Sequence, residues 1–275
     1  MSGGNLEAPR LRGMGLVSGW GRGLAVLPDD ARAAATGREV IAAECPAFPG
    51  DRLRRATREC LLGVAAVEET VRDAGSAAAS LAGERTALIY ATAAAYGAAN
   101  RAFIEGTGAS TLHFPYTAPS AVPAEVAITF GITGPYVIFL GGGTATLSAL
   151  WYAATLFAAG QCDRALVLAV ETFAECADLY DRARRLVGRP LVEAAACAWL
   201  EPGTGEFTYA TREAPAGPAP APAGVRRRLG EAFACTPLVE LGAARAGGGR
   251  SLDVHLNVIW RGTAAALRWK EAGAA

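Results

Sequence analysis

The sequence predicts an α/β protein in which helices cover a largely parallel sheet. Helical patterns alternate with apolar runs of strand length, as in proteins whose parallel strands are joined by crossover helices. The runs are uninterrupted, which predicts strands buried on both faces. The chain has 275 residues, of which 52% are hydrophobic, enough for one large domain with a substantial core. The predicted buried strands are Arg85–Ala91, Tyr136–Leu140, Arg164–Val170 and Leu191–Leu200.

The segments between these strands supply the predicted helices. Residues 1–10 are expected to be a loose leader, and Leu11–Ser18 to be an opening strand. Gly131 and Gly160 supply stop signals for two of the helices. The predicted helices are Asp51–Ala74, Ala94–Glu105, Pro119–Phe130 and Thr144–Ala159, with a loop over residues 106–118.

The last quarter of the chain has a different composition. Residues 213–224 are rich in proline and alanine, which predicts an extended linker after the unit formed by residues 11–212. Residues 225–270 are expected to complete the same domain with a helix near Val225–Arg245 and a β-hairpin. The two strands of the hairpin are Leu252–Ile259 and Thr263–Trp269.

Charge and cysteine content exclude several classes of function. Twenty-six basic residues balance twenty-six acidic ones, so no general attraction to nucleic acid or an anionic membrane is expected. The six cysteines form no CxxC pair, which favours free thiols in a reducing cytoplasm over disulfides or a metal site. No apolar run reaches the roughly 18 residues needed to span a bilayer. We therefore expect a cytoplasmic protein with no cofactor.

An ordered series of motifs carries a resemblance to a known family. Ile132–Pro135 precede a buried strand, a small-residue turn and a long alanine-rich helix, and Gly160–Asp163 precede a strand that ends at Glu171. Phe114–Ser120 lie upstream of this block, and Leu229–Ala234 lie downstream. In this order and spacing the chain resembles the β-ketoacyl synthases of the thiolase-like superfamily. The resemblance implies a thiolase-like layered α/β fold, with helices and a mixed sheet, whose second half is truncated.

The resemblance also implies that the family's catalytic groups are missing. A ketosynthase needs a cysteine at the start of the buried helix, where the helix dipole and backbone N–H groups lower the pKa of the thiol. That position holds Gly143, and one of the two catalytic histidine positions holds Glu231. The segment that would carry the other histidine is absent, and neither His113 nor His255 matches. The chain is therefore expected not to be an enzyme.

Other groups could in principle take over the chemistry. Thr144 adjoins the helix start, but it reads more simply as the residue that caps the helix. Cys162 and Cys197 are expected to be buried thiols, and His255 to lie on the polar face of a strand. The run Gly141–Gly143 lacks the lysine and the glycine spacing of a phosphate-binding loop.

In the family, a Gly-Pro motif, here Gly134 and Pro135, precedes a strand that pairs with the same strand of a partner subunit. Here that strand consists of Tyr136, Val137, Ile138, Phe139 and Leu140, an apolar run with no charged or proline residue to protect an edge. The resemblance further implies that residues of the upstream loop and helix shape the partner's acyl tunnel. These tunnel-lining candidates are Phe114, Tyr116, Thr117, Tyr96 and Phe103.

The predicted function is a non-catalytic, chain-length-factor-like subunit that forms a heterodimer with an active ketosynthase. It would contact acyl carrier protein through that complex, in type II polyketide or fatty-acid-type biosynthesis, of which aryl polyene clusters are one setting. Two alternatives remain open at this point. One is a homodimeric protein that binds acyl groups or acyl carrier protein, and the other is a small hydrolase or transferase that uses Thr144 or a cysteine.

Overall fold

The computed structural model describes residues 5–106, 114–173, 189–215, 223–247 and 251–272. The strands are β1 Asn5–Leu6, β2 Arg10–Ser18, β3 Gly21–Arg22, β4 Val40–Ile41, β5 Thr86–Thr92, β6 Tyr136–Leu140, β7 Arg164–Glu171, β8 Leu191–Val192, β9 Ala194–Glu201, β10 Gly205–Glu213, β11 Asp253–Trp260 and β12 Thr263–Glu271. The α-helices are α1 Ala31–Ala35, α2 Arg58–Asp73, α3 Gly97–Ile104, α4 Ala121–Phe130, α5 Gly143–Ala158, α6 Val225–Leu229 and α7 Thr236–Gly247.

Six strands form the main sheet, in the order β3-β2-β9-β7-β5-β6. Strand β5 pairs in parallel with β6 and β7, whereas β9 runs antiparallel to both β7 and β2. The sheet is therefore mixed, as the family resemblance implies, and the expectation of a largely parallel sheet is wrong. Continuous apolar runs report burial on both faces, and burial does not depend on the direction in which a strand runs.

Each central strand contributes to two hydrophobic cores because successive side chains point to opposite faces of a sheet. In β5, Leu88 and Tyr90 pack into the core beneath α2 and α4. Ala87, Ile89 and Ala91 of the same strand face the core that contains α5 and α7. The small residues on the α5 side allow that helix to lie close to the sheet.

A second sheet covers the other side of α5. It is antiparallel throughout, in the order β1-β10-β12-β11. Its inner face packs on α5 through Phe207 and Trp269, both fully buried, and Phe207 stacks on Trp151 with 5.8 Å between ring centroids. Its outer face carries exposed polar side chains such as His255 and Arg268. The layers are thus α2 and α4, the main sheet, α5 and α7, and the second sheet.

The first ten residues correct one prediction. Asn5 and Leu6 form β1 and pair with Thr208 and Phe207 of β10, and the side chain of Ala8 is fully buried. The expectation of a loose leader is therefore wrong for residues 5–10, because the second sheet needs this segment to cover the start of β10. Residues 1–4 lie outside the described part of the chain.

Several predicted elements begin, end or divide elsewhere. The long helix begins at Arg58 and not at Asp51. The single helix predicted near Val225–Arg245 is two helices, α6 and α7. Helix α6 ends before Gly230, whose φ of 92° is not helical. The predicted strand Leu191–Leu200 is interrupted at Glu193, whose side chain turns into a buried ion pair. Strand β10 was missed, and most of the predicted linker lies outside the described residues.

Among the helices in the described ranges, none is both long enough and apolar enough to cross a membrane.

Candidate functional site

The turn between β6 and α5 is built from glycine. Gly141 has a φ of 150°, a conformation that disfavours a side chain, and its N–H donates to the carbonyl of Thr92 at 2.9 Å. The residue that caps α5 is Gly142, and the helix begins at Gly143. The expectation that Thr144 is the cap is therefore wrong, because Thr144 is already inside the first turn. Gly143 lies where the family resemblance places the nucleophile, at the start of the buried helix.

Neighbouring side chains occupy the space that a side chain at this turn would need. A β-carbon on Gly142 would overlap the indole of Trp260. A β-carbon on Gly143 would lie 2.9 Å from Cγ1 of Val258 and 3.3 Å from Cγ of Pro237. The start of α5 is thus closed by β11 and α7, and a nucleophilic side chain could enter only if these neighbours moved.

Aromatic rings continue away from this turn. Trp260 packs against Phe233 with 5.0 Å between ring centroids, and Phe233 packs against the buried Phe173 at 5.3 Å. Phe233 has a φ of 40°, which is unusual for a bulky residue and shows that its surroundings hold it in place. The row of three rings links the end of β11 to the loop that follows β7.

Glu231 has partners that the sequence did not reveal. Its carboxylate pairs with the guanidinium of Arg189 and accepts the backbone N–H of Phe233 at 2.9 Å. Its backbone carbonyl accepts the N–H of Val192 at 2.8 Å. Where the resemblance expects a catalytic histidine, the structure has a glutamate whose carboxylate links Arg189 to the turn carrying Phe233 and whose backbone carbonyl binds β8.

A second carboxylate, Glu171, is buried at the end of β7. It accepts the backbone N–H groups of Ala93 at 2.7 Å, Ala94 at 2.9 Å and Ala234 at 3.2 Å, and the hydroxyl of Thr92 at 3.4 Å. Burial raises the pKa of Glu171 to about 8, and these donors oppose that effect. Glu171 therefore ties the turn after β5 to the turn before α7, on either side of the start of α5.

A third carboxylate, Glu193, interrupts β8 and β9 and is fully buried. It pairs with Arg58 of α2 and accepts the backbone N–H groups of Ala43 at 2.8 Å and Phe173 at 2.7 Å. No local pattern marks this network in the sequence, because Arg58 lies 135 residues before Glu193.

Burial disfavours a thiolate at three of the described cysteines. Burial raises the pKa of Cys162 to about 11 and the pKa values of Cys60 and Cys197 to about 12, so these groups remain thiols. Cys162 and Cys197 are buried as predicted, and His255 is exposed as predicted. His113 and Cys176 lie outside the described residues. Within the described ranges, no three metal-ligating side chains come together.

The predicted pairing strand β6 forms one edge of the main sheet. Tyr136 and Leu140 at its two ends are 46% and 60% exposed, although both are large and apolar. Its backbone pairs with β5 on one side only, within the described chain. This is the geometry of a strand that can accept a further strand.

The predicted tunnel-lining residues lie in two places. Phe103 and Phe114 are exposed and contact each other, with 5.5 Å between ring centroids. Tyr116 instead donates its hydroxyl to Glu125 at 3.1 Å, and burial together with that carboxylate raises the pKa of Tyr116 to about 12. The hydroxyl of Thr117 donates to the carbonyl of Phe114 at 2.8 Å.

Tyr96 lies in an open cleft of about 620 Å³ beside the start of α5. The cleft runs from the C-terminal end of β6 to the inner face of the second sheet. Its walls are Ala93, Tyr96, Phe139, Leu140, Gly141, Thr144, Ala145, Ser148, Tyr209, Thr211, Trp260, Arg261 and Thr263. Sequence reasoning identified Tyr96, Phe139 and Leu140 for the interface and missed the residues from the second sheet.

Comparison with solved structures places the fold. The chain is similar to the ishigamide ketosynthase/chain length factor, with a TM-score of 0.70 and 18% identity over 97% of this chain and 100% of that one. A type II polyketide acyl carrier protein complex with its ketosynthase gives a TM-score of 0.76 and 14% identity over 97% and 100%. The ketosynthase from module 6 of the bacillaene synthase of Bacillus subtilis 168 gives 0.70 and 10% over 96% and 72%. These likenesses confirm the thiolase-like fold.

The comparison with protein-family models identifies the family to which the chain belongs. No curated protein sequence matches the chain. Residues 28–187 match the model of the β-ketoacyl synthase N-terminal domain. That range includes strands β5, β6 and β7 of the main sheet and the start of α5. At 275 residues, with its second half shortened, this chain belongs to the β-ketoacyl synthase family.

Proposed function

We propose that this chain is a non-catalytic, chain-length-factor-like subunit that forms a heterodimer with an active β-ketoacyl synthase. The observation that carries the proposal is the start of α5. Gly143 has no nucleophile, and Val258 and Pro237 occupy the space into which one would project. Condensation by this family requires a thiolate at that point, next to the helix N-terminus that would stabilise it.

The edge of the main sheet supports pairing with a partner. An exposed apolar edge strand is a site of aggregation unless another chain covers it. Strand β6 has neither charge nor proline, and its ends expose Tyr136 and Leu140. An added antiparallel strand would satisfy its free backbone groups and bury both side chains.

The neighbouring aromatic pair supports a role in shaping an acyl chain. Phe103 and Phe114 expose adjoining rings beyond the C-terminal end of β5. We propose that these residues, with Tyr116, Thr117 and Tyr96, border the acyl tunnel of the partner subunit. The setting would be type II polyketide or fatty-acid-type biosynthesis, in which acyl carrier protein delivers the chain to the complex.

The first experiment is co-expression with an active β-ketoacyl synthase from the same genome, followed by size-exclusion chromatography with mass determination. The proposal expects a one-to-one complex that Tyr136→Lys combined with Leu140→Lys weakens at least tenfold, because a charge on an edge strand opposes pairing. Ile128→Lys is the matched control, since Ile128 is 66% exposed on α4 and not on the edge strand. A ketosynthase that ignores this chain in binding and in activity would reject the proposal.

A second candidate is a homodimeric protein that binds acyl groups or acyl carrier protein without an enzyme partner. The 620 Å³ cleft favours it, since that volume lies within the range of small-molecule sites. Mass spectrometry of the purified protein would then find bound acyl groups in a stable homodimer that does not exchange with the ketosynthase.

A further inference from the structure

The cleft beside the start of α5 contains two linked hydrogen bonds. The hydroxyl oxygen of Ser148 lies 3.0 Å from the backbone carbonyl oxygen of Thr144, one turn earlier in the helix. It also lies 2.8 Å from the phenolic oxygen of Tyr209, which reaches it from β10. All three residues line the cleft.

The direction of these bonds follows from the number of protons available. A backbone carbonyl can only accept, so the single hydroxyl proton of Ser148 must be the one shared with Thr144. The contact between Ser148 and Tyr209 then requires a proton from the phenol. Tyr209 therefore donates to Ser148, and its phenolic oxygen keeps only lone pairs to offer to the cleft.

The ring of Tyr209 is held in this position by aromatic packing. It stacks on Trp151 with 5.9 Å between ring centroids and an angle of 23° between the planes. Trp151 stacks in turn on the buried Phe207. Rotating the hydroxyl about its C–O bond to present its proton to the cleft would break the bond to Ser148.

The remaining walls of the cleft combine apolar and polar surface. Tyr96, Phe139, Trp260 and Leu140 supply the apolar part, and Thr211, Arg261 and Thr263 supply polar groups. Precisely placed polar groups fix the orientation of a ligand in such a site. Directly opposite the phenolic oxygen of Tyr209, a ligand with a donor is favoured, because an acceptor there would leave two lone pairs facing each other.

We propose that this cleft binds an acyl chain that carries a hydroxyl group opposite Tyr209, and that it discriminates against a chain with a keto oxygen at that carbon. The acyl nature of the ligand rests on the proposed function. The requirement for a donor rests only on the hydrogen bonds of Thr144, Ser148 and Tyr209. The cleft would therefore distinguish, by affinity, chains that differ in the oxidation state of one carbon.

The test uses the full chain, alone and co-purified with its ketosynthase. The probes are N-acetylcysteamine thioesters of octanoate that carry a hydroxyl, a keto oxygen or two hydrogens at the same carbon. The substituted carbon is moved along the chain in successive sets, and affinities are measured by calorimetry. At one carbon, the hydroxyl probe is expected to bind roughly 3- to 10-fold more tightly than either analogue, as one net hydrogen bond allows.

Tyr209→Phe is expected to remove this preference, so that the three probes substituted at that carbon bind it with affinities within about twofold of one another. Tyr152→Phe is the control, because Tyr152 lies on the same helix as Ser148 and outside the cleft walls. The inference is overturned if the keto probe binds as tightly at every carbon, if Tyr209→Phe keeps the preference, or if no probe binds. Complex formation is measured on the same samples, so a chain that pairs with the ketosynthase without this preference overturns the inference alone.

Discussion

Adding one methyl group at Gly143 tests the closure of the helix start. In Gly143→Ala the new β-carbon would lie 2.9 Å from Cγ1 of Val258, 3.2 Å from its Cβ and 3.3 Å from Cγ of Pro237. Val258 and Pro237 are both buried, so neither side chain can swing into solvent. Overpacking of this kind costs about 1–3 kcal/mol. The better helix propensity of alanine returns about 1 kcal/mol, so we expect a net loss of up to about 2 kcal/mol.

Urea unfolding of four variants measures the effect and assigns its cause. Val258→Ala removes Cγ1, the atom nearest to the new β-carbon, at a cost of about 1–2 kcal/mol on its own. If steric overlap is the cause, the double variant loses less than the sum of the single variants, by about 1 kcal/mol. Gly247→Ala is the control, because a β-carbon there, at the end of α7, would meet no neighbouring atom within 4 Å.

Two results would refute this reasoning. Gly143→Ala could match Gly247→Ala in stability, which would mean that the helix start has room for a side chain. The two substitutions at positions 143 and 258 could also add independently, which would place the cost elsewhere. In either case the helix start would no longer count as closed to a nucleophile.

The remaining predictions concern the buried carboxylates and the nucleophile position. Burial raises the folded-state pKa of Glu171 to about 8, above its value in the unfolded chain. The contribution of Glu171 to stability is therefore full at acidic pH and is lost as the pH rises toward 8. The midpoint of thermal unfolding of Glu171→Gln should depend less on pH than that of the unsubstituted protein. Arg58→Ala removes the cation paired with the buried Glu193 and should cost about 3–5 kcal/mol in urea unfolding, against at most about 1 kcal/mol for Arg72→Ala in an exposed pair. Gly143→Cys, alone or with Val258→Ala, should give no condensation product in a thioester assay, because Glu231 stands at a position where the family resemblance requires a histidine.

Most of the main sheet could be predicted from the sequence because its central strands are short, continuous runs of apolar residues. Tyr136–Leu140 is a strand with the predicted bounds, and α5 differs from the predicted helix by one residue at each end. Strand β10 also had a local signal, since Phe207 and Tyr209 alternate with polar residues in Gly205–Glu213. The sequence analysis placed residues 205–212 before the linker but assigned no strand to them.

The closure of the site could not be predicted, because it depends on contacts between distant parts of the chain. Gly143 was identified from local motifs, but Val258 and Trp260, which fill the space beside it, lie more than a hundred residues later. The same holds for Glu231, which has no visible partner in the sequence and pairs with Arg189 in the fold. Whether neighbouring strands of the main sheet run parallel or antiparallel could not be predicted either, because an apolar run indicates only that a strand is buried.

The two sheets differ in how they meet solvent, and this difference locates the surface that a partner would use. Along β11, exposed Asp253, His255 and Asn257 alternate with more buried residues, so this part of the outer face of the second sheet is polar, although Ile259 on the same face is exposed as well. The main sheet is covered on both faces, but its edge strand β6 exposes apolar side chains. Exposed large apolar side chains also lie on α3, α4 and β11, but those of β6 adjoin backbone groups that no strand of the described chain pairs with, and they lie next to the cleft that Phe139 and Leu140 line. A partner that pairs with β6 would cover this edge and close one side of the cleft by the same contact, which would couple the acyl ligand to assembly.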